Sequence, residues 1–185
     1  MESTISKVQK KDDTFLFAKL SHNQYGLSFS LENNKICLPK IVNLDFVKVI
    51  YSLSSDIFSH VHLEKINDTE GILLILIKPL FKELGVRQRF MYFHVKHIQV
   101  GNTIVIESQT IRTERPDSVP DDAELINVDT FTNEFTFHSQ HNVDVVNKII
   151  LGNDVVIPPF VDKVMKTLVI RIFKRVKEFV HLIHL

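Results

Sequence analysis

From Phe160 onward, apolar residues recur at intervals of three and four: Val161, Val164, Met165, Leu168, Val169, Ile172, Phe173, Val176, Phe179, Val180 and Ile183. This is the 3.6-residue period of an amphipathic α-helix, sustained for some 25 residues. Pro158 and Pro159 stand where such a helix begins, because a first-turn amide has no intrahelical partner for proline to remove. The opposite face carries Lys163, Lys166, Arg171, Lys174, Arg175 and Lys177, nearly all of one sign. A single helix this long cannot bury a stripe this broad, so the rest of the chain must provide a wide apolar surface to receive it.

That surface reads as a sheet. Segments 15–18, 27–31 and 36–38 are short apolar stretches separated by His22-Asn23 and Asn33-Asn34, pairs that favour turns, and the pattern predicts three short antiparallel strands. Leu44, Phe46, Val47, Ile50, Tyr51 and Leu53 have helical spacing behind Asn43, a good N-cap residue. Alternation over 61–66, a turn at Asn67-Asp68 and the continuous apolar run 72–77 predict two more strands. A long strand over 87–98, a tight turn at Gly101-Asn102 and a β-branched return over 103–112 predict a hairpin. Pro116 and Pro120 make 112–121 a loop, since proline cannot sit in a central ladder. Segments 124–131 and 134–138 read as a hairpin or bent strand pair, and 143–151 as a last strand, giving eight or nine in all. Residues 1–13 are polar and charged and read as a flexible N-terminal arm before a single domain, 14–185.

Several kinds of chemistry drop out. Lys and Arg total 22 and so do Asp and Glu, so the chain has no net charge and none of the basic excess that drives nucleic-acid binding. Cys37 is the one cysteine, which excludes an intramolecular disulfide and Cys-based zinc sites. Gly26, Gly71, Gly85, Gly101 and Gly152 are isolated, so no phosphate-binding glycine loop exists, and there is no Gly-x-Ser-x-Gly elbow. His60 and His62 share a strand face, His94 and His97 do not, and His181 and His184 lie three apart on the helix. None makes a zinc-binding pattern, so neither a metal nor a cofactor is expected. The apolar run 72–77 is far shorter than the roughly 20 residues of a membrane helix, and no signal peptide is recognisable, so the expected location is cytoplasmic. Mean hydropathy is nonetheless high at +0.06. The surplus apolar surface must line a cavity or be buried in a partner.

The order of elements, short strands, a helix, a long antiparallel run and one long C-terminal helix, resembles the helix-grip fold of the START-related lipid-transfer domains, an α+β architecture in which a curved antiparallel sheet wraps that helix. Three local matches carry the resemblance, which spans roughly residues 44–180. Arg87-Gln88-Arg89-Phe90 is similar to the family's Arg-Asp-Phe run, with Gln88 in place of the Asp. Glu107-Ser108-Gln109-Thr110 before a loop bearing Pro116 and Val119-Pro120 is similar to its serine strand and proline loop. Ile157-Pro158 before the terminal helix is similar to its Ile-Pro or Leu-Pro. The chain lacks the tryptophan common near the family's first helices, and Val155 stands where a glycine is expected, with Gly152 and Asp154 displaced.

The resemblance implies a non-enzymatic module that holds one lipid in a tunnel between sheet and helix, gated by the helix and nearby loops. Arg87, Arg89, Met91, Phe93 and Val95 share one strand face, and Ile104, Ile106, Ser108 and Thr110 share one on the returning strand. If these faces point inward, Arg89 anchors a headgroup or hydroxyl, Ser108 is a second polar contact, and Met91, Phe93, Val164 and Leu168 supply apolar wall. Phe90 and Tyr92 make the opposite face apolar as well. The expected partners are a lipid ligand and, transiently, a membrane surface touched by the helix's basic face, with no nucleic acid. An alternative is an interaction or structural module whose apolar surface is buried in a partner or homodimer. A third reading, a cyclase or hydratase acting inside the cavity, needs titratable pairs there, with Glu107 or Asp129 as candidates.

Overall fold

The structure is a computed structural model that describes residues 15–80, 82–155 and 159–183, with 84 and 159–163 described by backbone alone. The arm 1–13, Ile157, Pro158 and His184 lie outside the described residues. Nine strands form one curved, open sheet: β1 (Leu16–Lys19), β2 (Gln24–Glu32), β3 (Phe58–Lys65), β4 (Glu70–Ile77), β5 (Arg89–Val100), β6 (Thr103–Thr110), β7 (Glu124–Leu125), β8 (Val128–Ser139) and β9 (Asn142–Leu151). The order across the sheet is β1-β2-β9-β8-β6-β5-β4-β3, all antiparallel, with the two-residue β7 running parallel to β5. Three α-helices accompany it: α1 (Leu38–Ile41), α2 (Leu44–Ser52) and α3 (Pro159–Leu182), the 24-residue terminal helix.

Alternation sets the inner face. In β2, Tyr25, Leu27, Phe29 and Leu31 are buried, and in β9 so are Val143, Val145, Asn147 and Leu151. The inner residues of β5 and β6 include Phe93, Val95, Ile104, Ile106 and Ser108, as their parity implies. The continuous apolar run of β4 has a different cause: both of its faces are covered. Leu73 and Ile75 enter the main core, while Leu74 and Leu76 form a second, smaller core on the outer face with Phe90, Val119 and Ala123. The proline-bearing loop supplies this outer cover. Arg115 lies 5.3 Å from the Phe90 ring and donates to the Ala123 and Pro120 carbonyls, strapping the loop across the sheet. Phe90 and Tyr92 are apolar outward-facing positions for this reason.

Two segments differ from their sequence reading. Residues 36–38 do not form a strand; Pro39, with no amide hydrogen for a ladder and φ already near the helical value, sits in the first turn of α1. The turn between β8 and β9 holds this segment, since Leu38 N–H donates to Gln140 O at 2.8 Å and His141 Nδ1 lies 2.8 Å from Ile36 O. Segments 124–131 and 134–138 are not a strand pair: β7 splits off toward β5, and β8 runs unbroken through Thr132 and Asn133. The Gly101-Asn102 turn forms as expected, with Gly101 at φ 59°, where a side chain is disfavoured. Asn43 caps α2 by accepting from Phe46 N–H at 3.1 Å.

The two halves of α3 are held differently. Toward its C-terminus, Phe173, Val176 and Val180 are buried, and Phe173 packs on Phe29 at 5.3 Å. The buried Asn33 amide donates to Val180 O at 2.5 Å and Ile183 O at 3.1 Å, satisfying carbonyls that the last turn leaves open. Asp56, between α2 and β3, takes Arg175 through both carboxylate oxygens and has Arg171 at 3.7 Å. The helix's basic face is therefore only partly solvated. Toward the N-terminus, Val164, Met165, Leu168 and Val169 are only half-buried. What they face is not packed protein.

Candidate functional site

A cavity of about 680 Å³ separates this half of α3 from the sheet. Val164, Met165, Leu168, Val169, Ile172 and Phe173 form its helical wall. Its other walls are Phe17, Tyr25 and Leu27 from β1 and β2, Met91 from β5, Phe131 from β8, Ile149 and Leu151 from β9, and Tyr51, Ile57 and Phe58 from the α2–β3 region. The alternation that buries one face of each strand makes this lining overwhelmingly apolar. Tyr51 stands edge-on to Phe58 at 5.3 Å, and burial pushes its phenol well above the usual range, so it is neutral at every physiological pH.

Polar groups gather at two places. At one end, the connection between β4 and β5 contributes Lys78, Leu80, Gly85, Val86 and Arg87 to the wall, joined by Arg89 and Glu124. Glu124 accepts from Arg89 at 3.0 Å and Arg87 at 3.3 Å, all three side chains being at least 38% exposed, so this end is a solvated, ion-paired rim. The β7 bridge sets this geometry by placing Glu124 opposite Arg89 in register. Elsewhere in the wall, Asn147 faces Asn133 across the β8–β9 ladder, its Nδ2 donating to Asn133 Oδ1, with both residues at most 5% exposed. The Asn147 Oδ1 acceptor has no hydrogen-bond partner.

No family model matches the sequence, and no curated relative does. Solved structures do match the fold. The lipid transfer and protein localization domain of human StarD13 superposes with a TM-score of 0.70 at 11% identity, over 95% of this chain and 88% of that one. Human StAR-related lipid transfer protein 5 gives 0.67 at 12% identity, over 94% and 85%. A STAR-related lipid transfer protein fragment from Xanthomonas axonopodis gives 0.60 at 15%, over 91% and 99%. The chain has the helix-grip fold of START domains.

Within that helix grip, Arg89, Met91, Val164 and Leu168 all border the one cavity, Arg89 at its rim and the other three in its apolar wall. Phe93 and Ser108 point to the same side of the sheet but lie behind the wall. Phe93 is fully buried and stands 6.4 Å from Phe131, which does border the cavity, and Ser108 is 2% exposed. The helix α2 packs on β3, β4 and β5, so the inner face of β5 is divided between helix and cavity. Of the residues considered for catalysis, Glu107 alternates to the outer face, and Asp129 accepts from Arg112 at 2.7 Å on the surface. Glu124 is the one carboxylate bordering the cavity among the described residues, and two guanidinium groups hold it. Sequence reasoning missed Asn133, Asn147 and Glu124. The two asparagines each interrupt an alternating apolar stripe, at positions 133 and 147, and that interruption was the available signal.

Proposed function

We propose that this chain binds one hydrophobic ligand, a sterol, a phospholipid or a similar lipid, in the cavity between sheet and α3 and carries it between membranes without chemical change. One observation carries the reading: an apolar cavity of about 680 Å³ lies under a helix that is well packed only in its other half. That volume falls in the range of about 300–1,000 Å³ for small-molecule sites. Each ligand CH2 moved from water into such a lining contributes on the order of 0.8 kcal/mol, so no reactive group is needed for binding. Met91, Val164 and Leu168 supply wall, and Arg89 with Glu124 and Arg87 supplies a polar end for a headgroup.

Delivery requires the rim to meet a bilayer. Lys78 and Arg87 border it with Leu80, which is 39% exposed, and a near-surface Lys or Arg contributes about 1 kcal/mol toward an anionic leaflet. This favours transient docking at the rim rather than insertion, and among the described residues no helix is long and apolar enough to cross a membrane. The other reading of the apolar surplus, burial in a partner, has less to explain once the surplus lines a cavity. The large exposed apolar residues, Leu16, Ile66, Val100 and Leu182 among them, belong to four different elements or turns.

The test is native mass spectrometry of the purified protein after exposure to a membrane lipid extract. A one-to-one lipid adduct, reduced by Leu168→Arg in a variant that still folds, is the expected result. Absence of any adduct from the folded wild type overturns the proposal.

A further inference from the structure

The buried amide pair is the least expected feature of the inner face. Across one row of the sheet, Leu27 of β2, Asn147 of β9, Asn133 of β8 and Ile106 of β6 lie side by side. The neighbours along the same two strands are Val145, Ile149, Phe131 and Phe135, so the pair is polar in otherwise apolar surroundings. Packing alone gives no reason for it, because two aliphatic residues of the same size would fill the row without burying polar atoms. Asn147 Nδ2 is satisfied by Asn133 Oδ1, which fixes the amide, and the Asn147 Oδ1 acceptor remains unpaired in a residue that borders the cavity. Buried acceptors are rarely left so, and the missing partner is a donor.

The position of the pair narrows what that donor belongs to. The same row meets β5 at His97, so it is offset from Arg89 by eight residues of strand, about 26 Å along the strand direction at about 3.3 Å per residue. Asn147 is thus remote from the charged rim, in a buried part of the wall. An amide oxygen there can accept from a neutral hydroxyl or amide N–H but cannot neutralise a phosphate or ammonium group, whose burial is costly without a counter-charge. We propose that Asn147, oriented by Asn133, is the selectivity element of the cavity: it accepts a hydrogen bond from the hydroxyl or amide N–H of an uncharged lipid, a donor that the acyl chains of a phospholipid held by its headgroup at the rim do not offer. This inference rests on the lipid-binding reading of the same cavity.

The experiment presents wild type and the N133L/N147L double variant with vesicles of phosphatidylcholine, phosphatidylserine, cholesterol and diacylglycerol, and identifies the bound lipids by native mass spectrometry. Replacing both amides together leaves no orphaned partner, and thermal melting checks that the variant is folded; N147L alone serves if the double variant is not. Wild type is expected to carry cholesterol or diacylglycerol. The variant is expected to lose that preference over phosphatidylcholine by about tenfold, the effect of one buried hydrogen bond. As a second readout, cholesterol methyl ether, which cannot donate, should compete with cholesterol for wild type about tenfold more weakly, and for the variant equally. Phospholipid in the wild type, or the same preference in both proteins, overturns the selectivity inference and leaves the lipid-binding reading standing. No lipid in either protein overturns both.

Discussion

Two truncations on α3 test whether its halves meet different surroundings. Val180 is fully buried against the core, and Val180→Ala deletes two methyl groups at about 0.8 kcal/mol each and leaves a void, a cost of about 2–3 kcal/mol. Leu168→Ala deletes more carbon, and in a close-packed core this exchange costs about 2–5 kcal/mol. Leu168 is half-buried and borders the cavity, so on that side it has few atoms to lose contact with, and the expected cost is about 1 kcal/mol. For a chain of this length, about 1 kcal/mol corresponds to 2–4 °C in Tm. Val180→Ala should therefore lower Tm by about 5–10 °C and Leu168→Ala by less than half as much, although it is the larger truncation. Urea and thermal unfolding of the lipid-free protein read both values. Equal or reversed losses would mean that Leu168 is close-packed in solution and the cavity is collapsed, and the lipid-binding reading would fail with it.

Other outcomes follow from specific contacts. Arg175, hydrogen-bonded to Asp56, holds that carboxyl at about 2, so its contribution to stability is complete above the unfolded value near 4 and lost as pH falls from 4 toward 2. Asp56 is 46% exposed, so the effect is small, about 0.2–1 kcal/mol; Asp56→Asn should weaken acid unfolding over that window and leave the pH 7–9 profile unchanged in urea titrations. A Cβ at Gly152 would lie 2.5 Å from both Asn127 Nδ2 and Asp154 Oδ1, atoms that bond each other at 2.7 Å, so Gly152→Ala should break that pair and lower Tm by several degrees in a thermal melt. Vesicle co-sedimentation should show binding to anionic but not neutral bilayers that falls with salt, and Arg87→Glu with Lys78→Glu should abolish it.

Much of this was legible because it is periodic. The stripe of α3, the β5–β6 hairpin with Gly101 and the Asn43 cap are local patterns whose physics acts within a few residues. The features that differed are tertiary. The 36–38 segment is apolar like a strand, but Pro39 and the β8–β9 turn decide its course. Residues 132–133 separate two segments in the sequence reading, yet both stay in the ladder, Thr132 opposite Lys148 and Asn133 opposite Asn147. At the site, strand parity places Arg89 and Met91 on the cavity side but equally Phe93 and Ser108, and only the division of β5 between α2 and the cavity separates them. The Arg87–Arg89–Glu124 rim joins residues on opposite sides of the strap, and no sequence spacing encodes that. The register of one ladder likewise makes a pair of Asn133 and Asn147.

The Asn33 amide that closes the last turn of α3 reaches across 147 residues of chain to Val180, and β2, paired locally with β1, finds its other neighbour in β9, more than a hundred residues on. Contacts of such long sequence separation form slowly, since a large loop must be closed before any of them is gained. The part of the sheet's inner face that α2 does not cover stays open until α3 exists as free chain, and at about 5–20 residues per second its 24 residues take on the order of one to five seconds to synthesise. During that interval a nascent chain carries an open apolar trough with two free edges, β1 and β3. The recess proposed to hold a lipid in the finished protein is the surface most exposed to aggregation while the chain is being made.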